Sequence, residues 1–403
     1  MGILYISYDG VLEPLGQSQV LSYLKKLTNN RSIHLISFEK SEDWDNVKLR
    51  EGIKNDISQS GLVWHPLRYH KSPSSLATAW DITCGIFLGL WLVYRFRLQI
   101  VHARSYVPSV MALIIKRFTG VKFLFDMRGF WADERVEGDL WVKNGYLYSI
   151  AKWLERHFLL SCDYIVTLTN EAVKEIKSFP YLQDRILKID VITTCTDLEV
   201  FNLSAVKSKS KFNSKNFILG YVGSVGVSYK FEETLICFTY LKQIIPNSCL
   251  HILNRGDHKY ILERLNSYKI DSSSFKLEEM EHSKIGNAMC EMNAAIFFIN
   301  QSYSKKASAP TKLGEFLACG VPCLGNSEVG DMVSILEGEN VGIILRNFDE
   351  FSMRESIFKL IELAREPDIE QRCRKNAIKY FSLENGVNQY EKIYLTLTEK
   401  NDQ

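Results

Sequence analysis

The feature that most constrains the fold is an alternation of short apolar runs with helical patterns, which occurs twice along the chain. Such alternation is typical of α/β proteins, in which helices cover both faces of a parallel sheet. In the first half, the pattern predicts a helix at 17–27 and strands at 3–7, 33–38, 100–103, 121–126, 164–168 and 190–194. In the second half, it predicts strands at 217–222, 250–254, 294–299, 322–325 and 342–345. The helices predicted there are 232–243, 259–267, 282–292 and 310–319, followed by a last helix at 386–399.

A polar stretch rich in Ser and Lys, 204–216, separates the two halves and is interpreted as a linker or exposed loop. A chain of 403 residues is long enough for two domains. We therefore predict two Rossmann-like α/β domains, at 1–203 and 217–383, and a C-terminal helical segment at 384–403 that crosses back to the first domain. Ligands of such proteins bind at the carboxyl ends of the strands, so a cleft there is the expected site.

Composition excludes several classes of protein. Hydrophobic residues make up 46% and charged residues 24%, which indicates a packed chain and not a disordered one. A net charge of +2 gives no support for a nucleic-acid partner. The nine cysteines show no paired framework and Met1 leads directly into a predicted strand, so we expect a cytoplasmic protein. The eight histidines show no spacing typical of zinc ligands, so neither a metal nor another cofactor is expected.

The most specific motif surrounds Lys312 and Glu315, which are three residues apart and so share a helix face. Pro310 suits the first helical position and Ser308 suits a cap, while Gly320 ends the helix. A helix N-terminus with a nearby lysine can bind a phosphate. A carboxylate one turn further on can accept hydrogen bonds from a ribose. Taken alone, the pair is better explained as a surface ion pair on an ordinary helix.

This segment resembles the nucleotide-binding signature of the family 4 type of GT-B glycosyltransferases, S-x-P-x-K-x-x-E-[YF]-x-A-x-G-x-P. The resemblance implies that Lys312 faces the donor diphosphate and that Glu315 holds the nucleotide ribose. Many members carry a second Glu, which touches the donor sugar, at the position of Ala307. The matching residues are Ser308, Pro310, Lys312, Glu315, Phe316, Ala318, Gly320 and Pro322.

Two further segments are predicted to bind the donor. A Gly-Ser-rich loop follows the strand at 217–222, and its backbone N–H groups can bind a phosphate. The resemblance implies donor contacts for Gly223, Ser224 and Lys230; many members have an Arg where Ser224 stands. It also implies a donor contact for Gly16, in the loop after the first strand.

Charged and aromatic residues follow two strands of the first half. The resemblance implies that His102 meets the sugar or the reacting oxygen. Asp126 and Arg128 lie at a strand end with an aromatic residue and a glycine, a combination that suits a sugar, and we predict His102, Asp126 and Arg128 as catalytic. The residues predicted to bind the acceptor or the sugar are Arg104, Trp131, Asp133 and Glu134. The alternative is a structural histidine beside an ordinary ion pair.

The segment 82–94 is almost wholly apolar and is followed by Arg95 and Arg97. It is shorter than the about 20 residues that a bilayer-spanning helix needs. We favour a buried helix. The alternative is contact with a membrane surface, because Trp80 and Trp91 lie close to basic residues.

The resemblance implies a glycosyltransferase that moves a sugar from a nucleotide-sugar donor to a hydroxyl of a glycan or polyprenyl-linked acceptor. It further implies retention at the anomeric carbon, no metal, and a role in bacterial surface polysaccharide or lipopolysaccharide synthesis at the inner face of the cell membrane. Two alternatives stay open. One is a nucleotide-sugar 2-epimerase. The other is a non-catalytic subunit that binds glycans or nucleotides, which is motivated by Ala307 and Ser224.

Overall fold

The computed structural model describes residues 1–202, 216–226 and 228–399. By its internal contacts, the chain forms two compact units: residues 1–192 together with those from 386 on, and residues 193–385. Residues 193–202, which we assigned to the first domain, therefore belong to the second unit. Of the predicted linker at 204–216, all but the last residue lies outside the described residues.

The first unit is built on a seven-stranded parallel sheet in the order β3-β2-β1-β4-β5-β6-β7. The order reverses between β1 and β4, so their carboxyl ends mark the switch point where such sheets bind ligands. The strands are β1 (Gly2–Ser7), β2 (Ser32–Glu39), β3 (Val63–Arg68), β4 (Ile100–Arg104), β5 (Lys122–Met127), β6 (Tyr164–Thr167) and β7 (Ile189–Val191).

Nine helices belong to the described part of the first unit, besides the last helix of the chain. The helix predicted at 17–27 begins three residues earlier and includes a π-helical turn, Gln17–Leu21. The helices are α1 (Pro14–Gly16), α2 (Ser22–Leu27), α3 (Ser41–Asp45), α4 (Val47–Gln59), α5 (Ser74–Phe96), α6 (Tyr106–Thr119), α7 (Trp131–Glu137), α8 (Tyr146–Ser161) and α9 (Asn170–Ser178).

The second unit has a six-stranded parallel sheet in the order β10-β9-β8-β11-β12-β13. The strands are β8 (Ile218–Val222), β9 (Cys249–Leu253), β10 (Phe275–Glu278), β11 (Ala294–Ile296), β12 (Cys323–Asn326) and β13 (Gly342–Leu345). The helices are α10 (Phe231–Ile244), α11 (His258–Ser267), α12 (His282–Cys290), α13 (Thr311–Ala318), α14 (Met332–Leu336), α15 (Glu350–Ala364) and α16 (Ile369–Phe381). The last helix, α17 (Leu383–Thr398), begins here and continues into the first unit.

The predicted α/β class with two Rossmann-like domains is confirmed by these two sheets. The central strands were predictable because helices cover both faces and the strands read as continuous apolar runs. Two strands, β3 and β10, were not predicted. Both lie at a sheet edge and pair with one neighbour only, so they carry no continuous apolar run, and β3 even contains Pro66.

The apolar segment 82–94 is the central part of α5, which has 23 residues. The prediction of a short, buried helix is therefore wrong. Among the described residues, α5 is the one helix that is long and apolar enough to cross a membrane by length and composition, and only about a third of its apolar window, 33%, is buried. The helix extends further toward the N-terminus than predicted, because no residue between its N-cap, Pro73, and the segment 82–94 interrupts it.

Candidate nucleotide-binding site

The helix α13 presents the motif residues, and it starts one residue later than predicted. Pro310 is the N-cap, with φ −65° and ψ 117°, and no side chain caps the helix. Ser308 does not cap it; its backbone N–H donates to the carbonyl of Lys305 at 3.1 Å. The first-turn N–H groups therefore have no cap from a side chain. At the other end, Gly320 has φ +70° and the N–H of Val321 donates to the carbonyl of Phe316, which ends the helix as predicted.

The side chain of Lys312 is buried, with 8% of its residue surface exposed. Its Nζ has no hydrogen-bond partner among the described residues. Three aromatic rings surround the amine, with centroids at 4.0 Å for Tyr229, 5.5 Å for Tyr221 and 5.6 Å for Phe297. Burial lowers the pKa of Lys312 to about 7, against a smaller opposing effect of Glu315. Lys312 and Glu315 therefore do not form the surface ion pair that the motif alone would allow.

A glycine at position 223 lets the loop after β8 approach this amine. A β-carbon on Gly223 would lie 2.8 Å from Nζ of Lys312, and the residue has φ +108°, a conformation that favours glycine. The loop is fixed from β9: the N–H of Gly223 donates to the carbonyl of Leu253 at 3.0 Å, and the side-chain amide of Asn254 donates to the carbonyl of Gly223 at 3.0 Å. The structure thus brings together two segments, Gly223 and Lys312, that the sequence analysis assigned to one site.

Ser224 contributes its backbone to the same loop, because its carbonyl accepts a hydrogen bond of 2.7 Å from the hydroxyl of Tyr221.

Glu315 lies one turn after Lys312 and is partly exposed. Burial raises the pKa of Glu315 to about 7, and the nearby Lys312 opposes that rise. Its carboxyl group is therefore largely enclosed near the buried amine of Lys312, a position from which it could form a hydrogen bond with a ligand.

The segment at the start of the second unit supports α13. The hydroxyl of Thr194 donates to the carbonyl of Ala309 at 3.0 Å. A β-carbon on Gly314 would lie 2.7 Å from Oγ1 of Thr196 and 2.8 Å from the ring of Phe381. Gly314 therefore permits close packing on α13, which the sequence analysis missed. The signal that could have revealed this contact is a glycine inside a predicted helix, because glycine there lowers helix stability relative to alanine.

Arg374 is another residue that the sequence analysis missed. Its guanidinium donates to the carbonyl of Ala318 at 2.8 Å, at the C-terminal end of α13, and to the carbonyl of Leu198 at 3.0 Å. A cation at this end complements the helix dipole and fixes the helix in place. Nothing in the local sequence of α16 marks this role.

The position of the missing second Glu is structurally defined. Ala307 ends a 3-10 turn, Tyr303–Ala307, and is 2% exposed.

Lys230, predicted to face the donor phosphates, directs its amine to Glu233 at 3.3 Å and lies 4.6 Å above the ring of Phe348. Its charge is thus compensated by its own helix in this structure, and its phosphate contact stays a prediction.

In the first unit, the loop after β1 folds tightly on itself. A β-carbon on Gly16 would lie 2.0 Å from the carbonyl oxygen of Gly10. The N–H groups of Val11 and Leu12 donate to the carboxylate of Glu39 at 3.0 and 3.1 Å. Glu39 is buried, which raises its pKa, although these hydrogen bonds oppose the rise. The sequence analysis missed Glu39; a carboxylate at the last position of a buried strand was the available signal. The donor contact of Gly16 stays a prediction.

The predicted catalytic residues do come together, around a fully buried Asp126. Its Oδ2 lies 3.5 Å from Nε2 of His102 and 3.8 Å from Nη1 of Arg104, and its Oδ1 lies 3.8 Å from Nη1 of Arg128. Burial alone would raise the pKa of Asp126, but Arg128, His102 and Arg104 together hold the pKa at about 2. Asp126 is therefore ionised at every physiological pH.

Two tyrosines of α17 complete this cluster. The hydroxyl of Tyr390 donates to Asp126 at 3.1 Å, and the hydroxyl of Tyr394 is 2.7 Å from Nδ1 of His102. Burial lowers the pKa of His102, against the opposing effect of Asp126. Because His102 is 1% exposed, a substrate atom could reach it only if the side chains that cover it moved. The catalytic role of His102, Asp126 and Arg128 stays a prediction.

Three of the four residues predicted to meet the acceptor lie on α7, and they contact other protein groups. Asp133 accepts hydrogen bonds from the hydroxyl of Tyr148 at 2.9 Å and from Lys152 at 3.2 Å. Trp131 meets Trp141 edge to face, with centroids 5.0 Å apart. The carboxylate of Glu134 lies 2.9 Å from where a β-carbon on Gly129 would be. Arg104 belongs to the Asp126 cluster instead. Acceptor binding by Arg104, Trp131, Asp133 and Glu134 stays a prediction.

No protein-family model matches the chain, and no curated protein matches its sequence. Solved structures do match. A glycosyltransferase from Rickettsia africae is 15% identical with a TM-score of 0.71, and the match covers 99% of both chains. HepE from Anabaena, solved with UDP and glucose, is 12% identical with a TM-score of 0.66, and the match covers 98% of this chain and 100% of that one.

A third match is WaaG, a glycosyltransferase involved in lipopolysaccharide biosynthesis. It is 11% identical with a TM-score of 0.63, and the match covers 98% of this chain and 100% of that one. The chain has the GT-B fold. At these identities the likeness shows the fold alone.

Within this GT-B chain, the buried amine of Lys312 is the strongest candidate for a group that binds a ligand. Unpaired charges are rarely buried unless something compensates them. The aromatic rings supply part of that compensation. An anion bound at the start of α13 would supply the rest, because the helix N-terminus and the amine act on it together.

Proposed function

We propose that this chain is a glycosyltransferase that takes its sugar from a nucleotide-sugar donor. The observation that carries the proposal is the buried Nζ of Lys312, which lacks a hydrogen-bond partner among the described residues and lies at the start of α13 against Gly223. The GT-B fold supports it. So does HepE, which has been solved with UDP and with UDP-glucose.

In the proposed reaction, an acceptor hydroxyl displaces the nucleoside diphosphate from the anomeric carbon. Lys312 binds the diphosphate and stabilises the negative charge that develops on it, together with the N-terminal N–H groups of α13. Glu315 accepts hydrogen bonds from the ribose hydroxyls. We propose that Lys230 leaves Glu233 for the phosphates when the donor binds, so that no metal is needed. Retention of anomeric configuration and the sugar contacts of His102 rest on the family resemblance.

The proposed acceptor is a glycan or a polyprenyl-linked saccharide in bacterial surface polysaccharide or lipopolysaccharide synthesis, with the enzyme at the cytoplasmic side of the membrane. The likeness to WaaG, which is involved in lipopolysaccharide biosynthesis, supports this choice of pathway class.

The test is the thermal stability of the full chain with a panel of nucleoside diphosphates and nucleotide-sugars. A ligand present at 100 times its Kd adds about 2.7 kcal/mol to the stability of the native state. We expect one nucleoside diphosphate to raise the Tm, and the rise to be lost in Lys312→Met and Glu315→Gln. Lys359→Met, an exposed lysine on α15, is the matched control and should keep it. If no nucleotide shifts the Tm, the proposal is wrong.

A second candidate is a nucleotide-binding subunit without catalytic activity. The buried Ala307, in place of the carboxylate that would hold the donor sugar, favours it. It predicts the same nucleotide binding but no sugar transfer when extracted bacterial membranes supply the acceptor. Incubation of the donor without acceptor also tests the 2-epimerase alternative, which predicts conversion of the donor sugar under those conditions.

A further inference from the structure

The outward face of α5 carries a row of large apolar side chains. Leu76, Trp80, Phe87, Trp91 and Tyr94 are spaced by three, four or seven residues, so they share one side of the helix, and each is more than half exposed. We call these five residues the α5 stripe. At about 1.5 Å per residue it is about 27 Å long. A contiguous exposed apolar surface of this kind marks an interaction site more often than a chance feature.

The opposite face of α5 is fixed to the first unit. A β-carbon on Gly85 would lie 2.5 Å from Sδ of Met111, and one on Gly89 would lie 2.5 Å from Cδ1 of Ile115. These close contacts bind α5 to α6. The helix therefore cannot turn its stripe inward, and it cannot leave the sheet to span a bilayer without opening the core of this unit.

The one acidic residue within α5 is also held inside. Asp81 is 1% exposed, accepts a hydrogen bond of 2.9 Å from the hydroxyl of Tyr8, and has Nδ1 of His70 at 2.6 Å. The exposed side of α5 thus has no charge before Arg95. A surface that meets lipid must lack charge in this way, whereas an ordinary solvent-exposed helix face carries charged residues.

One end of the stripe is basic and extended by another aromatic residue. The hydroxyl of Tyr94 donates to the carbonyl of Phe118 at 3.2 Å, and Phe118 is itself mostly exposed. Arg95, Arg97 and Arg117 are exposed at the same end. Tryptophan and tyrosine favour the boundary between lipid tails and headgroups, and arginines there attract anionic lipids.

We propose that the α5 stripe docks the protein on a membrane surface that contains anionic lipid, with α5 lying in the plane of that surface. Trp80, Phe87 and Trp91 enter the headgroup boundary, and Arg95 and Arg117 contact the lipid phosphates. A second copy of this chain would also cover apolar surface, but two arginine-bearing ends would gain nothing from each other. The charge at this end therefore favours anionic lipid as the occupant.

The test is co-sedimentation of the full chain with vesicles of phosphatidylcholine alone and of phosphatidylcholine with about a third phosphatidylglycerol. We expect binding to the anionic vesicles, weakened by salt, with a blue shift of tryptophan fluorescence from Trp80 and Trp91. The double variant Phe87→Ser/Trp91→Ser should bind at least about tenfold more weakly, because it removes two large apolar side chains that become buried when the protein binds. The matched control is Phe351→Ser/Phe358→Ser on α15, which removes two exposed apolar residues of the second unit and should bind as the wild type does.

A second pair of variants tests the charge. Each arginine near an anionic surface contributes about fivefold in affinity, so Arg95→Gln/Arg117→Gln should bind about 25-fold more weakly to the anionic vesicles. Lys359→Gln/Arg365→Gln, on α15 and at its C-cap, is the control. Unchanged Tm values show that the variants fold; if the stripe variant does not fold, the arginine pair and the wild-type salt dependence decide.

Three outcomes overturn the proposal: no binding of the wild type to anionic vesicles, equal binding by the stripe and control variants, or a stripe-dependent dimer in sedimentation velocity without vesicle binding. The vesicles contain neither nucleotide nor acceptor. Failure here therefore leaves the nucleotide-binding test unaffected, and failure of that test leaves this one unaffected.

Discussion

Each unit buries a charged group, and the two groups are compensated in opposite ways. Asp126, in the first unit, has His102, Arg104 and Arg128 within 3.8 Å and a hydrogen bond from Tyr390. Lys312, in the second unit, meets aromatic rings and has no hydrogen-bond partner among the described residues. Accordingly, the pKa of Asp126 falls to about 2, whereas burial lowers the pKa of Lys312 to about 7.

We interpret the difference as one between a structural charge, Asp126, and the proposed binding charge, Lys312. A buried ion whose partners belong to the same unit stabilises the fold only as long as every partner is present. A buried ion without such a partner lowers stability, and we propose that a ligand supplies the missing charge. Removal of each group should therefore change stability in opposite directions, and the predictions below test that difference.

The largest expected effect is on the stability of the first unit. Asp126→Asn keeps the shape of the side chain but removes the buried counter-charge of Arg128 and leaves Arg104 beside the exposed Asp9, so we expect a loss of about 3–5 kcal/mol in the free energy of unfolding. Urea unfolding measures it. Asp56→Asn, which breaks an exposed pair with Lys25, is the control and should cost less than about 1 kcal/mol. Equal losses for the two variants would contradict the structural role of Asp126.

The second prediction concerns Lys312→Met, which removes a charge and keeps an unbranched side chain. We expect the affinity for the nucleoside diphosphate to fall by about 10- to 100-fold, since a hydrogen bond to a charged group is worth about 1.5–3 kcal/mol. The Tm without nucleotide should stay the same or rise, because the variant buries no unpaired cation. Calorimetric titration and thermal unfolding measure the two effects. A lower Tm with unchanged affinity would make Lys312 a structural residue.

The two regions also differ in how far they could be predicted from the sequence. His102, Arg104 and Asp126 lie on neighbouring strands whose carboxyl ends share one edge, and Arg104 pairs in register with Asp126. Their proximity therefore followed from the strand pattern. Their enclosure did not, because it depends on two tyrosines of α17 that are more than 260 residues away along the chain.

For the second unit, the motif predicted donor contacts for Lys312 and Glu315, and the glycine loop predicted one for Gly223. The sequence could not show that the amine lies among rings from three other segments, since side-chain direction depends on tertiary packing. The same limitation explains the error at α5. A run of apolar residues predicts an apolar environment, but it does not distinguish a helix in a protein core from a helix that exposes one apolar face.

The third prediction is a pH dependence of donor binding. In the free protein Lys312 has a pKa of about 7, and a bound diphosphate must raise it, so above pH 7 binding takes up a proton. The affinity should therefore fall as the pH rises from 7 to 9, by at most about tenfold per unit. Titrations of the wild type at several pH values measure this slope. Lys312→Met should show a flatter profile, and an unchanged slope in that variant would assign the effect to another group.

The smallest expected effect concerns the contact between α17 and His102. Tyr394→Phe removes the hydroxyl that is 2.7 Å from Nδ1 of His102, and we expect a loss of about 1 kcal/mol in the free energy of unfolding. Tyr146→Phe, on an exposed tyrosine of the same unit, is the control and should change nothing. Sugar transfer then decides the role of the histidine. If His102 only ties α17 to the sheet, transfer by Tyr394→Phe keeps the wild-type rate and pH profile. If His102 takes part in the reaction, loss of its hydrogen-bond partner shifts the pH profile of transfer, and the structural interpretation of the Asp126 cluster fails at that residue.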